Sequence, residues 1–221
     1  MIEDFDNIPD LPPIMGPAKQ VAYMVKDIDA AMQHWSDEYG VGPFLVTRNA
    51  APLSNAFYRG AKAQKSRVNI AFAYVGDMQL ELIELIGDTP GLYKEALDKG
   101  NYGVHHYAVL VEDFPKCYNW ALDNGFDAVI DSGIDGLARM SYMENPQSGI
   151  ILEVIEWNAL TRPYFNTIEK MVRSADSSQL IHEFNLPDIT PKVAVFTGLV
   201  KFGVKKLFGG AKQTRREVAA A

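Results

Sequence analysis

The fold of this chain is decided by a stretch of sequence that occurs twice. The first copy, QVAYMVKDIDAAMQHWSDEYGV at residues 20–41, aligns without a gap on HYAVLVEDFPKCYNWALDNGFD at residues 106–127. In each copy a half-buried strand runs into an aspartate, Asp27 or Asp113, of the type that caps the first turn of a helix. The residues that follow have apolar positions at helical spacing. Two matching strand–helix units predict an internally duplicated fold.

Three short β-type runs follow each helix and complete the repeat. In the first half they are PFLVTR, VNIAFAYV and MQLELIELI, and in the second DAVIDS, ARMSYMEN and IILEVIEW. The turn sequences VGD and NPQSG would join the last two strands of each half as hairpins. We therefore predict an α+β fold in which two pseudosymmetric βαβββ modules, residues 17–86 and 103–157, form one curved mixed sheet around a concavity. Together they would make one domain, residues 17–157.

Two segments of the chain lie outside this repeat. Residues 49–66 form a long insertion without clear periodicity, which a binding lid and a surface loop explain equally well. Residues 158–221 are predicted to be a helical C-terminal extension, which ends in a basic amphipathic helix. Such a helix can lie on an anionic membrane, or it can pack on protein. We favour packing on protein, because Gly198 and Gly203 weaken an isolated helix by about 1 kcal/mol each.

Composition restricts the classes of function. The 221-residue chain has a net charge of −7, and from Thr190 onwards seven Lys or Arg residues face one acid, so that this end carries +6 and the rest −13. An acidic body argues against a nucleic-acid-binding surface, which needs basic charge. The single cysteine, Cys117, allows no internal disulfide, and the first twenty residues lack the pattern of a signal peptide. We therefore expect a cytoplasmic protein.

Equivalent strand positions in the two halves carry four polar residues. Gln20 and His106 open the first strand of each half, and Glu81 and Glu153 lie in the last. Because side chains alternate along a strand, all four would face the concavity, whereas His105 would point towards the helix layer. One nitrogen and three oxygen donors suit a borderline divalent metal such as zinc, nickel, cobalt, manganese or iron(II). We predict that these four residues bind one such ion and that His105 is structural.

Three stretches resemble the vicinal oxygen chelate superfamily, the group of glyoxalase I, methylmalonyl-CoA epimerase, extradiol dioxygenases and bleomycin resistance proteins. They are HHYAVLVED, NPQSGIILEVIE and DIDAAMQHWSDEYGVGPF, and the resemblance extends over residues 20–157. The order Gln, Glu, His, Glu matches the ligand types of glyoxalase I enzymes that begin with Gln. Epimerases of the superfamily typically have His first and Gln second, so the chain departs from them at Gln20 and Glu81.

The resemblance implies chemistry on a small carbonyl substrate, in a homodimer. A metal that chelates the substrate carbonyl favours loss of a neighbouring proton, and Glu153 or Glu81 would be the base of an isomerase or lyase. Two alternatives stay open. An extradiol-type ring-cleaving dioxygenase would require two histidines and one carboxylate around iron(II). A metal-free small-molecule binding protein of the same fold would require no intact ligand set.

Overall fold

The computed structural model describes residues 11–51, 56–134, 138–159 and 161–185, and within them eleven strands form one mixed sheet. The strands are β1 (Gln20–Met24), β2 (Phe44–Ala50), β3 (Phe57–Tyr58), β4 (Ala61–Lys62), β5 (Arg67–Val75), β6 (Met78–Ile86), β7 (Gly103–Val111), β8 (Asp127–Ile134), β9 (Ala138–Glu144), β10 (Ile151–Glu156) and β11 (Ile181–Glu183). The helices are α1 (Ile28–Tyr39), α2 (Leu92–Asp98), α3 (Phe114–Asp123) and α4 (Thr161–Arg173). Across the sheet the strands follow the order β11-β2-β5-β6-β1-β7-β10-β9-β8-β3-β4.

The two halves of the sheet repeat one internal order. Strands β1, β6, β5 and β2 lie side by side in the first half, and β7, β10, β9 and β8 do so in the second. The halves meet where β1 pairs antiparallel with β7, and each of these central strands pairs in parallel with the last strand of its own half. The predicted α+β fold with a large curved, open sheet is confirmed.

Helices α1 and α3 cover one face of the sheet, which we call the outer face. Each begins at a predicted cap: the Asp27 carboxylate accepts a hydrogen bond from the Ala30 amide at 2.9 Å, and Asp113 accepts one from Lys116 at 3.2 Å. Beneath α1, the buried Met32 packs with side chains of β1, β2, β5 and β6. Apolar residues of α3 pack in the same way on β7, β9 and β10. The apolar stripes of the repeat thus form two outer-face cores.

The opposite, inner face is covered by segments that lie outside the repeat. In the first half, α4 places the buried Ile168 and Val172 in one apolar cluster with Met24, Phe72 and Ile83 of the sheet. Phe184, which follows β11, belongs to the same cluster. Helix α4 therefore covers the inner face of the first half of the sheet.

The insertion between β2 and β5 crosses to the second half. It includes a hairpin of β3 and β4, in which Phe57 pairs with Asp131 of β8. Ala56, just before the hairpin, is buried in a cluster that includes Leu92 of α2. The Arg59 guanidinium makes ion pairs with acids of α2 and β9, at 2.9 and 3.1 Å. The insertion is thus part of the sheet and of its inner cover.

The C-terminal extension is helical only in part. After α4 it contributes β11, which pairs in parallel with β2 at one edge of the sheet. The basic amphipathic helix predicted near the C terminus lies outside the described residues. None of the described helices is both long enough and apolar enough to cross a membrane.

Candidate active site

The four predicted ligands lie on the inner face of neighbouring central strands. Ala22 of β1 lies between Glu81 of β6 and His106 of β7, since it pairs with both. Residues paired in this way point to the same face of a sheet. The small alanine side chain leaves the space above it to the carboxylate and the imidazole.

The next row of the sheet holds the other two predicted ligands. Gln20 of β1 pairs with Ala108 of β7, which pairs in turn with Glu153 of β10. Ala108 stands in the second half where Ala22 stands in the first, two residues after the opening polar residue. The register therefore places all four predicted ligands around two alanines.

The His106 imidazole lies between two carboxylates. Its Nε2 atom is 3.6 Å from Oε2 of Glu81 and 3.4 Å from Oε2 of Glu153. All three side chains are buried, that of His106 completely. These distances are long for a hydrogen bond. They are close to the separation of about 3.4 Å between two ligands that each lie about 2.1 Å from one tetrahedral ion.

The Gln20 side chain forms its hydrogen bond with Gln79, and not with His106 or the two carboxylates. Its Nε2 donates to Oε1 of Gln79 at 2.7 Å, and Gln79 donates in turn to the Tyr74 hydroxyl at 2.7 Å. Within the described residues, the buried Oε1 of Gln20 and Nε2 of His106 have no hydrogen-bond partner. A buried polar atom without a partner costs about 1–3 kcal/mol, so both atoms are places where a donor or a cation would be favourable.

The donor types fit a borderline divalent metal, although the side chains do not form a complete site as they stand. In the described part of the chain, no group of three or more His, Cys, Asp or Glu could hold a metal ion in its present arrangement. Joint ligation would require the carboxylates to turn and Gln20 to direct its oxygen towards His106. The two unpartnered atoms beside two carboxylates are the observation in favour of such a rearrangement.

Three tyrosines surround the carboxylates. Burial raises the pKa of Glu81 well above its usual range, and the charge of Glu153 adds to this. Burial, together with the charges of the two carboxylates, also raises the pKa of Tyr93, Tyr142 and Tyr164. The three phenols are therefore neutral hydroxyl donors at physiological pH. The repeat gave no signal for Tyr93 or Tyr164, because α2 and α4 lie outside the two modules.

His105 takes a position that strand alternation did not predict. Ala22 pairs with His106 but Tyr23 pairs with Val104, so His105 is the extra residue of a β-bulge. Its Nδ1 atom lies 2.8 Å from Nδ1 of His106. The expectation that His105 faces the helix layer is therefore wrong, because the bulge breaks the alternation at this residue.

The histidine pair restricts the tautomer of His106. Burial lowers the pKa of His105 well below its usual value, the neighbouring His106 lowers it further, and the Leu92 backbone acts in the opposite direction. His105 is therefore neutral at physiological pH. For Nε2 of His106 to be a free acceptor, its proton must be on Nδ1, which then donates to Nδ1 of His105. A cation at Nε2 would select this tautomer, whereas in the other tautomer His105 donates to Nδ1 of His106 and Nε2–H of His106 faces the carboxylates.

Comparison with known proteins places the chain in a family. The model of the glyoxalase/bleomycin resistance protein/dioxygenase superfamily matches residues 19–142, which is more than half of the chain. No curated protein sequence matches it.

Several solved structures are similar. A hypothetical protein, BH1468, from Bacillus halodurans C-125 is 16% identical, with a TM-score of 0.46, over 64% of this chain and 94% of that one. Methylmalonyl-CoA epimerase from Mycobacterium tuberculosis is 16% identical, with a TM-score of 0.47, over 67% and 93%. A variant of the Streptomyces coelicolor epimerase, in complex with 2-nitronate-propionyl-CoA, is 17% identical, with a TM-score of 0.44, over 65% and 95%. The family match confirms the resemblance seen in the sequence: the chain belongs to the glyoxalase/bleomycin resistance protein/dioxygenase superfamily, the vicinal oxygen chelate group.

Proposed function

We propose that the chain is a metal-dependent enzyme that removes a proton from the carbon next to a substrate carbonyl, as an isomerase or lyase of the glyoxalase or epimerase type. The observation that carries this proposal is the buried Nε2 of His106, which has no hydrogen-bond partner among the described residues and lies 3.6 and 3.4 Å from two carboxylates. A neutral imidazole between two carboxylates is a common donor set for divalent metals.

Gln20, Glu81, His106 and Glu153 would hold the ion, which would be zinc, nickel, cobalt, manganese or iron(II). When bound, it would polarise the substrate carbonyl and stabilise the negative charge that develops as the neighbouring proton leaves. His105 would hold His106 in the required tautomer by accepting a hydrogen bond from its Nδ1.

Proton transfer falls to the two carboxylates. The Glu81 and Glu153 carboxylates both lie within 3.6 Å of His106 Nε2, and one would accept a proton while the other returns one to the substrate. The raised pKa of Glu81 suits this work near neutral pH. The phenols of Tyr142 and Tyr164 are available to donate hydrogen bonds to developing negative charge, and α4 excludes water from the site.

A metal-free binding protein is the second candidate. It is favoured by the present arrangement of the side chains, in which no described group of three His, Cys, Asp or Glu could hold an ion. The structure argues against a dioxygenase, which would need a second histidine beside the two carboxylates. His105 instead contacts Nδ1 of His106, the ring nitrogen that does not face the carboxylates.

Metal content decides between the two candidates. We expect protein purified without chelator to contain one divalent ion per chain by elemental analysis, and His106→Ala to contain less than a tenth of that amount. His34→Ala, which removes an exposed imidazole on α1, is the matched control and should retain the ion. Equal metal content in wild type and His106→Ala would contradict the proposal and favour the binding protein.

The reaction itself is tested by hydrogen exchange. We expect the metal-loaded protein to exchange α-hydrogens of a small carbonyl substrate with deuterated water, as followed by NMR. Glu153→Gln should slow the exchange at least 100-fold. Oxygen consumption with a catechol, without exchange on any carbonyl compound, would move the assignment to a dioxygenase.

A further inference from the structure

A cavity of about 270 Å³ lies beside the candidate site, between α4 and the central strands. On the sheet side it is lined by Gln20, Gln79 and Ala108. On the other side it is lined by Trp157, which follows β10, and by Phe165 and Asn166 of α4. These last residues lie beyond residue 142, where the family match ends. The pocket therefore combines a wall within the matched residues with a wall that lies outside them.

The inner end of this pocket meets the candidate site. Gln20 lines the pocket and is only 5% exposed, and its buried Oε1 has no partner among the described residues. Ala108, also in the lining, lies in register between Gln20 and Glu153. A molecule that rests on Ala108 is therefore next to the Gln20 side chain and one strand away from Glu153, which does not itself line the pocket.

The walls of the pocket suit a flat ring. The Trp157 and Phe165 rings have centroids 5.9 Å apart and an interplanar angle of 59°. Tyr74, which also lines the pocket, is fixed by its hydrogen bond from Gln79. The Arg162 guanidinium lies 5.5 Å from the centre of the Trp157 ring, which helps to hold it. Aromatic walls with a few amide groups are typical of sites for small ring compounds.

The volume of this pocket and the charge of its lining argue against large anionic ligands. Ligand pockets usually measure about 300–1,000 Å³, so this one suits a small ligand. Lys19 is the single basic residue among the described residues that line it, and the lining also contains the acids Asp77 and Glu169. Arg173 neutralises Glu169 at 2.8 Å, and the charges of Lys19 and Asp77 balance, so the lining has no net positive charge for a phosphate-bearing ligand.

We propose that this pocket binds a small ring compound that carries a carbonyl or hydroxyl oxygen and no phosphate group, and that Trp157 and α4 select it. The identification of this ligand as the substrate rests on the proposed function. Binding to the pocket does not, because the aromatic walls and the amides need no metal. Specificity is thereby assigned to Trp157, the last residue of the second module, and to α4 of the C-terminal extension.

Binding of 4-hydroxyacetophenone to the full-length protein in excess chelator tests the proposal. Saturation-transfer NMR and calorimetric titration should detect binding to wild type, and Phe165→Ala should weaken it at least fivefold. Leu122→Ala removes a comparably apolar but exposed side chain from α3 and should leave binding unchanged. Because Phe165→Ala can reduce stability, Asn166→Trp provides a second variant: position 166 is exposed, and the larger ring would fill the pocket and abolish binding.

Three results would overturn the proposal. They are no binding of the probe to wild type, unchanged binding in both pocket variants, and displacement of the probe by stoichiometric propionyl-CoA. The metal measurements on His106→Ala remain separate. Probe binding together with equal metal content in wild type and His106→Ala would overturn the proposed enzyme and leave the pocket assignment standing. Metal binding that depends on His106, in a wild-type protein that does not bind the probe, would do the reverse.

Discussion

The two halves of the sheet share one skeleton and differ in what covers it. On the inner face of the first half lie α4 and Phe184, from the C-terminal extension. On that of the second half lie Leu92 of α2 and Ala56 of the insertion. The strands, their order and the outer helices are duplicated, but neither inner cover is. The repeat therefore accounts for the sheet and the outer helices. The segments outside the repeat determine which parts of the inner face are accessible.

The halves also differ at one pair of equivalent residues. Lys19 precedes Gln20 as His105 precedes His106, yet Lys19 is exposed and His105 is buried in the bulge of β7. In the second half, the predicted ligand His106 contacts the preceding residue, His105. In the first half, Gln20 is held instead by Gln79 of the neighbouring strand. The same position in a repeat can therefore be held by quite different contacts.

The largest expected effect concerns the two covers. Ile168→Ala removes a buried side chain from α4, and we expect it to lower the free energy of unfolding by about 2–5 kcal/mol in urea titrations. Leu92→Ala makes the matching change in the second cover and should cost a similar amount. If the covers are independent, the double variant should show the sum of both losses. A near-wild-type midpoint for Ile168→Ala would show that α4 does not hold the first half.

The bulge provides the next test. His105→Ala should lower metal affinity about 10–100-fold, because His106 loses the group that fixes its tautomer. Lys19→Ala, at the equivalent position of the first half, should leave the affinity unchanged. Competition with a chromophoric chelator measures both. Equal affinities for the two variants would mean that the histidine contact is only a packing contact.

The carboxylates predict a pH dependence of stability in the metal-free protein. The pKa of Glu81 is raised by burial and by the charge of Glu153. A carboxyl group of this kind contributes stability below its unfolded pKa of about 4.3, and that contribution is lost as the pH rises through the folded pKa. Chelated wild type should therefore melt at a lower temperature at pH 8 than at pH 5.5.

Glu81→Gln should reduce this difference in melting temperature, because the amide does not ionise. Glu84→Gln is the control, since Glu84 lies on the same strand and points to the other face, where Asn69 donates to it at 2.7 Å. The same pH profile in Glu81→Gln as in wild type would refute the assignment.

The smallest effect is expected at the ion pairs of the insertion. Arg59 contacts Glu95 and Glu144, but its side chain is 43% exposed, so water screens both pairs. Arg59→Ala should cost at most about 1 kcal/mol in denaturant titrations. A larger loss would show that the second cover depends on this guanidinium more than on the apolar contacts of Ala56 and Leu92.

Much of the skeleton could be read from the sequence, because alternation and caps are local signals. The run MQLELIELI coincides with β6, and the run VNIAFAYV lies within β5. The face shared by Glu81, His106 and Glu153 follows from the same alternation. Local signals do not predict the orientation of His105, since a bulge depends on the register of two strands. They also cannot show where α4 docks, because an amphipathic stripe does not specify its partner surface.

The ends of the sheet have a consequence for how copies of the chain can associate. Among the described residues, the outermost strands are β11, with three residues, and β4, with two. An edge strand recruits another chain through its row of unpaired backbone groups, and such short strands offer very few. The insertion and the extension thus cover part of β8 and part of β2, and they shorten the edges that a second copy of the chain could extend.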